Sequence, residues 1–219
     1  MTRLALFDCD GTLVDSQANI CVAMERCFAQ HDLPLPPREA TRRVVGLSLV
    51  EAVRMLHPAG EPARHRAMAE EYKRAFQALR TEGAVAEPLF EGMREAIEAV
   101  AQAGWLLGMA TGKSDRGLGL CLARHGIADR FVTLQTADRH PSKPHPSMAE
   151  LAMIEAGATP QSSVMIGDTS FDMAMAKAAG MRAIGVAWGY HDRAELLAEG
   201  ADLIAEHPSD LVRLLETLW

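Results

Sequence analysis

Four short segments hold the residues that could do chemistry, and the first is the densest. In Phe7-Asp8-Cys9-Asp10-Gly11-Thr12-Leu13-Val14-Asp15-Ser16, two carboxylates stand two residues apart. Alternate side chains of an extended chain share a side, so Asp8 and Asp10 point together while Cys9 points away. Two close carboxylates repel each other and need a cation, a shared proton or a charged partner. Taken alone, the Asp-Gly pair reads equally well as a solvated turn. A calcium-binding loop is excluded by spacing: counted from Asp8, the position that requires glycine falls on Leu13 and the bidentate acid on Asn19.

The second segment is Met109-Ala110-Thr111-Gly112-Lys113-Ser114. A Walker-type phosphate loop would need glycine where Leu107 stands, and Gly108 comes one residue late. There remain the Thr111 hydroxyl and the Gly112 amide at a helix N-terminus, which is a natural anion seat or simply a capped helix start. The third, Ser142-Lys143-Pro144-His145-Pro146, has prolines that fix the local backbone and could aim Lys143 back at the core. A surface loop with an exposed lysine is an equal alternative, and His140 and His145 read as loop residues. The fourth is Val164-Met165-Ile166-Gly167-Asp168-Thr169-Ser170-Phe171-Asp172, where a buried run meets Gly-Asp and a helix. Asp168 and Asp172 could each be a helix cap. Together the four supply a nucleophile, further carboxylates, a hydroxyl and a lysine, an inventory that suits phosphoryl transfer.

The elements that must position these groups are legible from periodicity. Leu4 to Phe7, Trp105 to Ala110, Phe131 to Leu134, Val164 to Ile166 and Ala183 to Ala187 are predicted as buried strands. Helix faces between them run through Met93-Ile97-Val100, Leu118-Cys121-His125, Met148-Leu151-Glu155 and Phe171-Ala174-Ala178, and Leu211-Leu214-Leu215-Leu218 forms a last helix. Such alternation predicts a parallel sheet with helices on both faces. Each chemical segment then falls at the carboxyl end of a strand or in the loop leading from one, where ligands bind in such sheets. From Ser16 to about Ala86 no strand is predicted, only helical faces at Met24-Phe28, Leu49-Val53-Leu56 and Met68-Tyr72-Phe76-Leu79, punctuated by prolines. That stretch predicts an all-helical inserted module, residues 16–85, on a core of residues 1–15 and 86–219. Its hinges fall near Asp15-Ser16 and Gly83 to Pro88.

Composition narrows the partners. The 219 residues include 29 acidic and 22 basic side chains, a formal net charge of −7, which argues against nucleic acid or an anionic membrane as main partner. A small anionic substrate held by a few placed cations remains open. No apolar run reaches membrane-spanning length, and no export signal core precedes Asp8. Cys9, Cys21, Cys27 and Cys121 show no metal-binding spacing and read as reduced thiols of a cytoplasmic protein.

With these motifs in this order, the sequence resembles the haloacid dehalogenase superfamily, in the branch with a helical cap after the first motif. Trp188-Gly189-Tyr190, Glu199-Gly200-Ala201-Asp202 and Glu87-Pro88-Leu89-Phe90-Glu91-Gly92 are similar to its phosphoglycolate-phosphatase-like subgroup. The resemblance implies a Rossmann-like parallel sheet and a magnesium-dependent phosphatase acting on a small phosphomonoester. It implies that Asp8 is the nucleophile and that Asp10 is the acid and base. It places magnesium on Asp8, Asp168 and the Asp10 carbonyl, with Asp172 acting through water or by orienting the others. It also puts the phosphate on Thr111, Gly112 and Lys143. Dehalogenases of this superfamily lack the second aspartate, present here as Asp10. A cap Schiff-base lysine has only Lys73 as candidate, in a charged run. Thr12 and Ile20 stand where β-phosphoglucomutase-like members have valine and histidine, so a sugar phosphomutase is the second reading. A catalytically silent binding module is the third. Arg42, Arg43, Gly46, Leu47 and Ser48 are candidate cap residues facing the substrate.

Overall fold

Leu4–Phe7 forms strand β1, and all four of its side chains are buried. The alternation of a strand splits them: Leu4 and Leu6 enter one apolar core, Ala5 and Phe7 the other. A strand apolar on both faces belongs inside a covered parallel sheet, and that is where β1 lies. The computed structural model describes residues 2–219; Met1, the first residue of the expected core, lies outside them.

The other strands are β2 (Leu106–Thr111), β3 (Phe131–Thr136), β4 (Ser163–Gly167), β5 (Arg182–Val186) and β6 (Leu203–Ala205). They pair in parallel in the order β3-β2-β1-β4-β5-β6. This is the doubly wound order of Rossmann-like sheets, in which the winding reverses between β1 and β4. The first helices are α1 (Gln17–Gln30), α2 (Arg38–Arg42), α3 (Leu49–Leu56), α4 (Pro62–Thr81) and α5 (Met93–Gln102). They are followed by α6 (Asp115–His125), α7 (Ser147–Ala156), α8 (Ser170–Ala178), α9 (Arg193–Ala198) and α10 (Leu211–Thr217). Ile97 of α5, Leu118 of α6 and Leu215 of α10 fill the core on the Phe7 side, and Met148 of α7, Met173 of α8 and Leu196 of α9 fill the other.

The expected strands coincide with β1 to β5 to within about two residues. β3 runs past Leu134 because Gln135 and Thr136, though polar, are buried and paired: Gln135 Nε2 donates to Glu155 Oε2 at 2.8 Å and Thr136 Oγ1 to Asp115 Oδ1 at 2.7 Å. β6 was not predicted. It is three residues long between Asp202 and Glu206, too short to show an apolar run.

Between β1 and α5 the chain runs through α1 to α4, and α1, α3 and α4 share an apolar cluster separate from the two sheet cores. It includes Met24 and Phe28 of α1, Val53 of α3 and Met68, Tyr72 and Leu79 of α4. The chain leaves and returns along one narrow ribbon. Val14 bridges Leu89 in antiparallel fashion, Asp15 N donates to the Pro88 carbonyl at 2.9 Å, and Phe90 N to the Leu13 carbonyl at 3.0 Å. Among the described residues no helix is long and apolar enough to cross a membrane.

Because Phe7 fills its core completely and meets Phe131 edge-on at 6.5 Å, Phe7→Ala is expected to cost about 4 kcal/mol. Urea unfolding should show it as a lower midpoint at unchanged slope.

Candidate active site

The site follows from the register of three strands. Phe7 is level with Met109 of β2 and with Ile166 of β4, so Asp8, Thr111 and Asp168 all emerge at one rim, at the carboxyl ends beside the winding reversal. The Asp8 amide continues the sheet by donating to the Ile166 carbonyl at 3.0 Å. Lys143 reaches this rim on the loop between β3 and α7. It is only 1% exposed; the surface-loop alternative for it does not hold.

Lys143 Nζ lies 3.0 Å from Asp8 Oδ1 and 2.5 Å from Asp172 Oδ1. Burial pulls against its charge, but Asp172 and Asp8 outweigh burial and hold its pKa above the usual lysine value. The Asp8 carboxyl is pushed up to about 7 by burial, against the pull of Lys143 and with a further push from Asp172 and Asp10. Burial, then Asp8 and Asp172, push Asp168 well above the carboxylate range. Two donors work the other way: the Tyr190 amide reaches Asp168 Oδ2 at 2.9 Å and the Thr12 hydroxyl reaches Oδ1 at 2.8 Å. Asp172 is occupied twice over. Its Oδ2 accepts from the Thr169 amide at 3.0 Å and the Thr169 hydroxyl at 2.7 Å, capping α8, while Oδ1 accepts from Lys143.

Carboxylate oxygens of Asp8, Asp168 and Asp172 all lie within 4.8 Å of one another. Both Asp8 carboxylate oxygens are buried without a hydrogen bond. Ionised together, three carboxylates against one ammonium would leave an excess of negative charge in a dry place, which ordinarily costs several kcal/mol per uncompensated ion. An all-oxygen donor set with orphaned lone pairs fits a hard divalent cation such as magnesium. Gly11 makes room for this cluster: it sits at φ 86°, and a Cβ there would lie 2.1 Å from Asp168 Oδ2.

Asp10 stands apart from the three. Its Oδ1 accepts from the Ser16 hydroxyl and lies 2.9 Å from Lys113 Nζ. Lys113 also meets Glu87 Oε1 at 2.7 Å, and Glu87 Oε2 meets an Arg80 nitrogen at 3.0 Å. Burial works to raise Glu87, but Lys113 and Arg80 overcome it and hold its carboxyl below the usual range. This chain of ions joins the β1 loop, the β2 loop, the returning ribbon and α4. Sequence reasoning gave Lys113, Glu87, Arg80 and Ser16 no role at the site. Lys113 was visible only within a failed phosphate-loop match, and no spacing rule pairs residues 26 apart in sequence.

A cavity of about 360 Å³ lies between this rim and the inserted helices, with Asp8, Asp10, Thr111 and Gly112 on one wall and Val45, Tyr72 and Phe76 on the other. The two walls touch. A Cβ on Gly112 would lie 2.4 Å from the Leu47 carbonyl oxygen, and the Ser48 amide donates to Ser142 Oγ at 2.8 Å. Gly46 and Leu47 line the cavity as expected of them. Arg43 instead forms a two-pronged pair with Glu195 of α9, and exposed Arg42 is not on the lining. His140 and His145 brace their own loop: the His140 ring bonds Gln135 Oε1 at 2.9 Å and Ser147 Oγ at 2.8 Å, and His145 Nδ1 accepts from the Ser147 amide at 3.2 Å.

Residues 5–186 match the haloacid dehalogenase-like hydrolase family, and the chain belongs to it. It is 36% identical over 218 residues to the protein named "Probable phosphatase IndB" of Dickeya dadantii, covering 97% of this chain and 93% of that one. It is 30% identical over 209 residues to the protein named "Phosphoglycolate phosphatase" of Pseudomonas putida, covering 94% of this chain and 77% of the relative. A haloacid dehalogenase-like family hydrolase from Streptococcus pneumoniae superposes with a TM-score of 0.84 at 23% identity over 97% of this chain and 98% of its own, a likeness of fold.

Lys113→Met would strip two buried carboxylates of their shared cation. The expected loss of stability is about 3 kcal/mol, read as a fall in the melting temperature; an unchanged melting temperature would show that the ion chain contributes nothing to the fold.

Proposed function

We propose that this hydrolase is a magnesium-dependent phosphatase that hydrolyses a small phosphomonoester through an aspartyl phosphate on Asp8. The observation that carries the reading is the state of Asp8: buried, at the wall of a cavity, its Oδ1 beside the Lys143 ammonium and its Oδ2 free of hydrogen bonds. A carboxylate unencumbered in this way can attack, whereas one fixed by donors cannot without losing them. Relatives named as phosphatases support the same class of reaction.

In the proposed cycle an Asp8 oxygen attacks phosphorus, and the bond between phosphorus and the ester oxygen breaks. Asp10 gives the departing oxygen its proton, then takes one from the water that attacks the aspartyl phosphate and releases inorganic phosphate. Thr111 and the Gly112 amide would hold phosphoryl oxygens, and Lys143 would offset their charge while keeping Asp8 in line. Asp8, Asp168 and the Asp10 carbonyl would hold magnesium, which supplies charge neutralisation for the phosphoryl group. Asp172 orients Lys143 and, with both its oxygens engaged, would act on a metal only indirectly.

Residues 16–85 would act as a cap over a core of residues 1–15 and 86–219, swinging on the ribbon of Leu13 to Asp15 and Pro88 to Phe90. Excluding stray water from a phosphoenzyme while admitting substrate calls for such a gate. Four free, buried cysteines suit a reducing, cytoplasmic setting.

Asp8→Asn retains the side chain's shape without its negative charge. Turnover of an aryl phosphate with magnesium is expected to fall about a thousandfold or more at a near-native melting temperature. Retained turnover in Asp8→Asn would rule out the covalent route.

A further inference from the structure

The wall of the cavity opposite Asp8 is mostly apolar, with Thr41, Lys73, Gln77 and Arg80 among its residues. Met24 of α1, Val45 and Leu47 of the α2–α3 loop, Leu49 of α3, and Tyr72 and Phe76 of α4 all face it. Most of them also belong to the apolar cluster of the inserted helices, which accounts for their type. It does not account for the space of about 360 Å³ they leave beside the catalytic rim, a volume in the range of small-molecule sites, about 300–1,000 Å³.

Three of the four cations on the lining are already paired. Lys113 is held by Asp10 and Glu87, at 2.9 and 2.7 Å, and Arg80 by Glu87 at 3.0 Å. Lys73 pairs with Glu70 at 2.8 Å at the surface, its side chain 44% exposed. Arg116, on the first turn of α6, is exposed at the rim, where water weakens any pairing. Arg43, which could have served an anionic substrate, is bound to Glu195 outside the cavity. A carboxylate one or two bonds from the ester oxygen would therefore leave water without gaining an unpaired cation in the buried part of the cavity, and that is costly.

We propose that the alcohol half of the substrate is uncharged and carries an apolar, ring-sized body seated against Tyr72, Phe76 and Val45. The phosphoryl group alone supplies the negative charge, at the Asp8 rim. The proposal rests on the phosphatase reading above and narrows it: the inserted helices choose the alcohol by burying its apolar surface. A single methylene in an apolar pocket changes specificity about 10–200-fold, so a ring should do at least as much.

The test compares kcat/KM of the full chain with magnesium for benzyl phosphate, ethyl phosphate and 2-phosphoglycolate, three esters of unactivated alcohols. Benzyl phosphate is expected to exceed both others by about tenfold or more, and Phe76→Ala should shrink the ratio of benzyl to ethyl ester toward one. A value for 2-phosphoglycolate equal to or above that for benzyl phosphate would overturn the proposal. Hydrolysis of none of the three would strike the phosphatase reading, and calorimetry would then decide the substrate class. Benzylphosphonate binding tighter than phosphonoacetate would uphold the apolar alcohol; the reverse order would overturn it.

Discussion

Asp8, Asp168 and Asp172 meet at the carboxyl ends of neighbouring strands with a single ammonium, that of Lys143, among them. Water is excluded from all four side chains, so their mutual repulsion is barely screened. Much of the surrounding structure answers to that repulsion. Thr12 and the Tyr190 amide donate to Asp168, Thr169 donates twice to Asp172, and Gly11 withdraws a side chain that would collide with Asp168. What these donors leave over falls on Asp8, which none of them reaches and whose Oδ1 lies 3.0 Å from the Lys143 ammonium. On the proposed reading, the nucleophile and the pull on a cation thus have one origin.

The sheet makes this concentration of charge possible. β1 is apolar on both faces and locked between β2 and β4 over its whole length, so the residue that follows it has little freedom to move away from its neighbours. Burial of Leu4 to Phe7 stabilises what Asp8 costs. The inserted helices contribute differently. They touch the rim through Leu47 and Ser48 and are tied to Asp10 through Arg80, Glu87 and Lys113. On the proposed reading, movement of α4 would be felt at the acid–base group, because a buried ion chain does not stretch without loss.

How much of this the sequence disclosed depended on the range of the interaction. The strands and helices were legible because their signals are local: runs of apolar residues and 3.6-residue faces. Asp8, Thr111, Lys143 and Asp168 were legible because each stands in a short motif beside a strand end, and the parallel arrangement then brings strand ends together. The Lys113–Glu87–Arg80 chain was not, since its members come from three separate segments and each alone looks like an ordinary surface ion. Arg43 misled for the same reason: an arginine in the right loop looks like a substrate contact until Glu195 of α9 is found beside it. β6 escaped because three residues are too few to carry a period.

The central claim is the proposal that the carboxylates at Asp8 hold a divalent cation. Its most direct test is the melting temperature of the protein with and without magnesium, beside that of Asp168→Asn. If the cluster binds the ion, saturation at about a hundred times the dissociation constant should stabilise the native protein by about 2.7 kcal/mol. The melting temperature should then rise by several degrees, and Asp168→Asn should lose most of that rise. An identical melting temperature with and without magnesium, across millimolar concentrations, would contradict the account.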